Sequence, residues 1–132
     1  MQRSATSVEE RVVAFMADFQ AQDLERLEAW FGEDSVVWVP PAGPVRGARR
    51  IKALFRAIFR RYHDIRWTIE KVYPVDERTV IYEHASKGTL GRGAPYANRA
   101  VTILEFDPHG KIASLSDYFK DTRTFSYGKV TS

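Results

Sequence analysis

The sequence predicts an α+β domain: three N-terminal helices packed on a curved antiparallel sheet, together forming a cone-shaped barrel. Three observations predict it. Apolar residues recur at helical spacing up to about residue 62, with one short β-branched run among them. After that they alternate with polar residues in long runs. Turn-forming Pro, Gly and Asp clusters separate the runs. A chain of 132 residues holds one such domain, 1–132, with 1–6 and 126–132 expected as flexible tails.

Ser7, Val8, Glu9 and Glu10 read as a capping box, from which Val8, Val12, Phe15, Met16 and Phe19 line one face of a helix to about Ala21. Asp23 caps a shorter helix carrying Leu24, Leu27, Trp30 and Phe31, and Gly32 is expected to end it. Ser35 to Val39 reads as a first strand, stopped by Pro40, Pro41 and Pro44, which lack amide donors. A third helix from about Ala48 to Tyr62 turns Ile51, Leu54, Phe55, Ile58 and Phe59 inward and its arginines outward. Four strand-like segments follow: Ile65 to Val75, Thr79 to Thr89, Tyr96 to Phe106 and Lys111 to Phe119. They are joined by turns at Asp76-Glu77-Arg78, Gly91 to Pro95, and Asp107 to Gly110. Helices first and a meander afterwards place the helices on one face of a twisting sheet, leaving a mouth that can admit a ligand.

The 44% hydrophobic and 13% aromatic content supplies a sizeable core and excludes disorder. No cysteine is present, which removes disulfides and thiolate metal sites. The first residues lack the apolar run of a secretory signal, and nowhere do about 18 apolar residues run together. A cytoplasmic location and no membrane partner are therefore expected. The net charge of +3 comes mainly from Arg46, Arg49, Arg50, Lys52, Arg56, Arg60 and Arg61, on or beside one helix. A nucleic-acid footprint would cluster charge in this way, but so does a solvated helix face. No recognised nucleic-acid motif accompanies it, so nucleic acid is not an expected partner.

Several segments, taken in order, resemble the nuclear-transport-factor-2-like superfamily, in particular its SnoaL-like polyketide cyclase and limonene-epoxide hydrolase branches. They are Ala21-Gln22-Asp23-Leu24, Phe31 to Val36, and Gly110-Lys111-Ile112 followed by Ser116 to Asp121. The resemblance covers nearly the whole chain. It implies the cone fold, an apolar pocket and, in many relatives, a homodimer through the outer sheet face. That fold hosts cyclases, isomerases, hydrolases, dehydratases and pure binding modules, so the site has to decide the function.

By this resemblance Asp117 matches the acid/base aspartate of the cyclases and one aspartate of the epoxide hydrolases. Alternation groups Ala113, Leu115, Asp117 and Phe119 on one face of the last strand. A lone carboxylate on an apolar face has a raised pKa, which suits proton transfer; alternatively, Asp117 accepts a structural hydrogen bond. Tyr82, His84 and Ser86 also share a face, which the implied layout points toward Asp117. A direct His84–Asp117 pair would make His84 a general base or acid, against the alternative of a packed histidine. His84 and Ser86 occupy the positions of the epoxide hydrolases' arginine and second aspartate, so that arrangement is not retained. The base, tyrosine and acid of the ketosteroid isomerases are matched by Val39, Phe15 and Thr102, which removes that route.

Asn98 and Thr102 fall on the expected pocket face; Asn98 either orients a substrate carbonyl or satisfies turn backbone. Arg99, Val101 and Ile103 fall on the opposite face. Expected ligand contacts are Tyr82, Phe15, Val39, Phe55, Asn98, Thr102 and Leu115, with Phe19, Phe59, Trp38 and Trp67 as further candidate walls. His63 at a helix end and His109 in a hairpin are expected to be solvated. No metal site is expected from three scattered histidines, and no cofactor motif is present. The expected function is cofactor-independent acid/base chemistry by Asp117 and His84 on a small apolar oxygenated substrate: cyclisation, isomerisation, hydrolysis or dehydration. The alternative is a non-catalytic ligand-binding or association module.

Overall fold

The computed structural model describes residues 6–90 and 93–123. The expected tails fall outside the described residues, apart from residue 6, as do Gly91 and Arg92 of one predicted turn. Helix α1 spans Val8–Gln20 and opens with the expected capping box: Ser7 Oγ accepts from the Glu10 amide at 3.1 Å, and the Glu10 carboxylate accepts from Ser7 N at 3.0 Å. Helix α2, Leu24–Glu28, is capped by Asp23 and tied to α1 by the Trp30 indole, which donates to Asp18 at 2.9 Å. It stops before Phe31 and Gly32, which belong to strand β1, Phe31–Trp38, and not to the helix end the spacing predicts. Burial decides this. Phe31 lies between Phe15 and Phe55, with ring centroids at 6.1 and 5.7 Å, and the chain must extend there to reach the sheet.

The remaining elements are β2 (Val45–Arg46), α3 (Ala48–Arg61), β3 (Tyr62–Pro74), β4 (Thr79–Leu90), β5 (Ala94–Phe106) and β6 (Ile112–Phe119). The sheet order is β2-β1-β6-β5-β4-β3. From β3 to β6 it is the predicted antiparallel meander, but β1 runs parallel to β6, so the sheet is mixed and not wholly antiparallel. Helix α3 is the cause: it carries the chain from the β1 edge to the far edge, and the meander then returns to β1 in the same direction. His63, expected at the helix end, pairs through its backbone with Thr89 in β3.

Two side chains adapt this sheet to its cone shape. The β1–β6 register jumps between Phe31↔Ile112 and Val36↔Ser114, so β1 carries extra residues in between. Ser35, buried inside that excursion, accepts from Gly32 N at 2.8 Å and donates to the Ile112 carbonyl at 2.6 Å. At the opposite edge, Gln20 donates to the Ile65 carbonyl at 3.0 Å and accepts from Trp67 N at 2.7 Å. The free edge of β3 is thus hydrogen-bonded to the end of α1, which closes the cone without strand-to-strand closure.

Helices α1 and α3 fill the concave side. Phe19 makes edge contacts with Phe55, Phe59 and Trp67 at 5.2, 5.1 and 4.6 Å, beside the fully buried Ile51, Val12 and Leu27. Trp38 faces outward and is 54% exposed, so it is not a pocket wall. Ala113 falls at a bulge where β5 passes from Glu105↔Ser114 to Phe106↔Ile112. That extra residue resets the alternation: Ile112 joins the core with Leu115, and the expected grouping holds only from Leu115 onward. No helix among the described residues is long and apolar enough to cross a membrane.

The Ser35 side chain is the fold feature most open to a single test. Ser35→Ala deprives the Gly32 amide and the Ile112 carbonyl of a partner in a buried place, and is expected to destabilise the fold by about 1–3 kcal/mol in urea denaturation. A change below about 0.5 kcal/mol, typical of a neutral surface substitution, would contradict that role.

Candidate functional site

Strand register sets the site. Tyr82 pairs with Thr102, and Thr102 with Asp117, in one row across β4, β5 and β6. The next row holds His84, Ala100 and Phe119. Side chains two apart on a strand share a face, so both rows point at the helices. Between them and the helices lies a cavity of about 60 Å³, several times what one water requires. Phe15, Met16 and Phe19 enter from α1, and Phe55 and Ile58 from α3. Tyr62, Ile65 and Trp67 line it from β3, Val39 and Pro40 from the end of β1, and Leu115 and Phe119 from β6. Asp117 is the one Asp, Glu, Lys or Arg among these lining residues.

Polar chemistry concentrates on three side chains. Thr102 Oγ1 donates to Asp117 Oδ1 at 2.5 Å, and His84 Nε2 lies 2.7 Å from the same Oγ1. A hydroxyl has one proton; with that proton on Asp117, His84 must donate from Nε2. Its Nδ1 is then the bare nitrogen, and it is buried with no hydrogen-bond partner. Asp117 Oδ2 takes no hydrogen bond among the described residues, and the side chain is half-buried against the cavity. Burial pushes the Asp117 carboxyl up to about 6, against the opposing Thr102 hydrogen bond. Burial pulls His84 down to about 4, so the imidazole is neutral at pH 7. Tyr82, fully buried, points its hydroxyl at Met16 Sδ at 3.3 Å; burial and then the charge of Asp117 hold it protonated.

Most of the expected contacts meet here. Phe15, Val39, Phe55, Tyr82, His84, Thr102, Leu115 and Asp117 all line the cavity, as do Phe19 and Trp67. His84 and Asp117 do not form the direct pair the sequence suggests: Thr102 stands between them, because it occupies the central strand of the three. Asn98 does not line the cavity. Its amide clamps Asp121, donating to the carbonyl at 2.8 Å and accepting from the amide at 3.1 Å, and it also bonds Arg99 N and Tyr96 Oη. These bonds are of the kind its backbone reading expects. Phe59 stands behind Phe19 and Trp67 and does not line the cavity.

Tyr96, Tyr62, Ile65, Ile58, Met16 and Pro40 line the cavity without having been singled out as walls. Tyr96 shares the parity of Asn98 and Thr102, so alternation alone could have found it. Ile65 likewise shares the parity of Trp67, but Tyr62 could not be found that way: a register shift between His63 and Arg66, with Asp64 at φ +50°, breaks the alternation at the head of β3. His109 sits in the exposed hairpin turn as expected, its amide bonded to Asp107. Among the described residues no group of three His, Asp or Glu converges as a metal site would need.

A family model for the SnoaL-like domain matches residues 12–115. Comparison with curated proteins gives no match. Among solved structures, an LEH-like epoxide hydrolase of M. tuberculosis is similar at 25% identity and TM-score 0.70, with 86% of this chain and 82% of that one covered. A putative polyketide cyclase of Pseudomonas putida is similar at 21% identity and TM-score 0.73, covering 92% and 97%. A protein of Catenulispora acidiphila with a ketosteroid isomerase-like fold, solved with trimethylamine, is similar at 23% and 0.74, covering 86% of each chain. At these identities the likeness is one of fold.

Proposed function

The chain belongs to the SnoaL-like domain family, and from that premise we propose that it is an acid/base enzyme for a small, largely apolar, oxygenated substrate, with Asp117 carrying the proton. The observation that supports this most is a single carboxylate, lifted by burial to about 6 and open on Oδ2, in a largely aromatic cavity with no other Asp, Glu, Lys or Arg in its lining. A group with that pKa is divided between acid and base near neutral pH, where proton transfer is most efficient. The reaction class is cyclisation, isomerisation, or addition or elimination of water. His84 and Ser86 stand where the resembled epoxide hydrolases carry an arginine and an aspartate, so any epoxide opening here would run through Asp117 without that arginine. His84 supports the site through Thr102; its own bare nitrogen has no access to cavity water.

A panel of epoxides, enolisable polycarbonyl compounds and β-hydroxy ketones, assayed with the parent and Asp117→Asn, tests this. The substitution is expected to cost about 10²–10⁴-fold in kcat/KM, the usual worth of a general acid or base. For a reaction begun by proton abstraction, kcat/KM should rise with pH through about 6 and level off above it. Retention of parental activity by Asp117→Asn would overturn the proposal. Ligand binding without turnover across the panel would favour a binding module of the same fold.

We also propose that the chain pairs with a second copy through the outer sheet face. One cross-strand row there reads Tyr73, Ile81, Ile103, Ser116 and Trp38, beside Val101 and Tyr118 in the next. Trp38 and Tyr118 are 54% and 59% exposed, an apolar area that a partner would cover. On the same face Arg99 is held by an ion pair to Glu70. Sedimentation should give twice the monomer mass, and Tyr118→Glu should shift it toward monomer; a monomeric parent at tens of micromolar would rule this out. The cysteine-free sequence accords with a cytoplasmic setting.

A further inference from the structure

The polar chain in the cavity wall contains more atoms than a lone carboxylate base requires. A carboxylate in an apolar pocket has two near-equivalent oxygens, and a substrate could meet either one. Here the two are unlike: Oδ1 takes the Thr102 hydroxyl at 2.5 Å, and Oδ2 takes nothing among the described residues. Thr102 is itself constrained, because His84 Nε2 approaches the same oxygen at 2.7 Å. Each of these contacts needs one proton between its heavy atoms. With Asp117 ionised, one arrangement satisfies both: Nε2–H donates to Oγ1, and the Thr102 hydroxyl donates to Oδ1. The histidine carries a cost in this arrangement, since its Nδ1 is buried without a partner. An apolar side chain at position 84 would avoid that cost, so packing alone does not account for an imidazole there.

We propose that His84 and Thr102 are positioning residues that make Asp117 a one-sided acid/base, with the Thr102 hydroxyl locked onto Oδ1 and the exchangeable proton carried by Oδ2 alone. This rests on the reading of Asp117 as the group that moves the proton. Proton uptake at Oδ2 leaves the chain unchanged, because the neutral carboxyl still accepts from Thr102 at Oδ1. His84 then keeps one tautomer through the whole titration of Asp117. The other titratable groups facing the chain are Tyr82 on β4, Tyr96 on β5 and Tyr62 on β3. The lining residues of α1, α3 and the end of β1 are all apolar, so no other charge at the cavity wall competes for the proton.

The competing arrangement runs the chain backwards. A proton on Oδ1 would donate to Oγ1, Thr102 would donate to His84 Nε2, and the imidazole proton would sit on Nδ1. The two arrangements differ in the tautomer of His84, which nitrogen-15 chemical shifts read directly. The experiment uses the whole chain labelled with ¹⁵N and ¹³C, without ligand, between pH 5 and 8, following the His84 ring nitrogens and the Asp117 carboxyl carbon.

The expected result is the Nε2–H tautomer at every pH, while the Asp117 carboxyl titrates near 6. Thr102→Val should release the tautomer to a mixture and move the Asp117 midpoint upward, because the hydrogen bond that favours the carboxylate is gone. Thr102→Ser, which keeps the hydroxyl, should restore both signals. An Nδ1–H tautomer, or a switch between tautomers in step with Asp117, would overturn the lock. Asp117→Asn with full activity would instead overturn the acid/base reading and leave the tautomer result standing, so the two failures are separable.

Discussion

One hydroxyl has to serve two ionisable groups in a cavity wall that is mostly aromatic and aliphatic. Thr102 on the central strand of the site lies within hydrogen-bond reach of His84 on one side and donates to Asp117 on the other. Without it, a carboxylate and an imidazole would each be buried without a protein partner, and an unpartnered buried polar group costs about 1–3 kcal/mol, more when charged. The rest of the architecture keeps that hydroxyl where it is. A slip of one residue in the β4–β5 or β5–β6 pairing would turn Thr102 or its neighbours to the outer face. The register on both sides of β5 is therefore a functional constraint as well as a structural one.

The sheet around that register is fastened from outside the site. Ser35 fastens the irregular stretch where β1 meets β6, and the bulge at Ala113 resets which β6 residues face inward. Without the bulge, Ile112 and Leu115 could not both face the core from a regular strand, being an odd number of residues apart. At the other edge Gln20 binds β3 to α1 and brings the Phe19, Phe55 and Trp67 cluster over the cavity. The aromatic lid provides the low-dielectric surroundings that shift Asp117 and His84 in opposite directions. Packing remote from the chemistry in this way sets the protonation states of the site.

The helices, the meander and the shared faces of Tyr82 with His84 and of Leu115 with Asp117 were legible in the sequence, because each depends on local periodicity, while the family resemblance supplied which of those faces meets the cavity. Three kinds of feature were not. The parallel β1–β6 pair depends on where a crossover helix delivers the chain, which no local pattern encodes. Strand β2 has two residues, too few for any period. The Thr102 bridge needs the inter-strand register, since alternation says which face a side chain takes but not which neighbour it meets. Asn98 illustrates the same limit: its parity was right, but its amide is spent on the backbone of Asp121, a contact fixed only once the chain returns past β6.

Burial has opposite consequences for the two ionisable groups. Asp117 titrates near 6 in the fold, above the 3.8 of a free carboxyl, so the stability it contributes is lost as pH rises through 6. His84 titrates near 4, below its free value of 6.5, so its contribution is lost as pH falls from 6.5 toward 4. The most direct test of a buried, functionally poised Asp117 is urea unfolding of the parent and Asp117→Asn at pH 8 and at pH 4. The account predicts that the variant gains stability relative to the parent at pH 8 over pH 4, by on the order of 1–3 kcal/mol for a half-buried group. A difference that does not change with pH, or that favours the parent at pH 8, would mean that Asp117 is an ordinary carboxylate and would contradict the account.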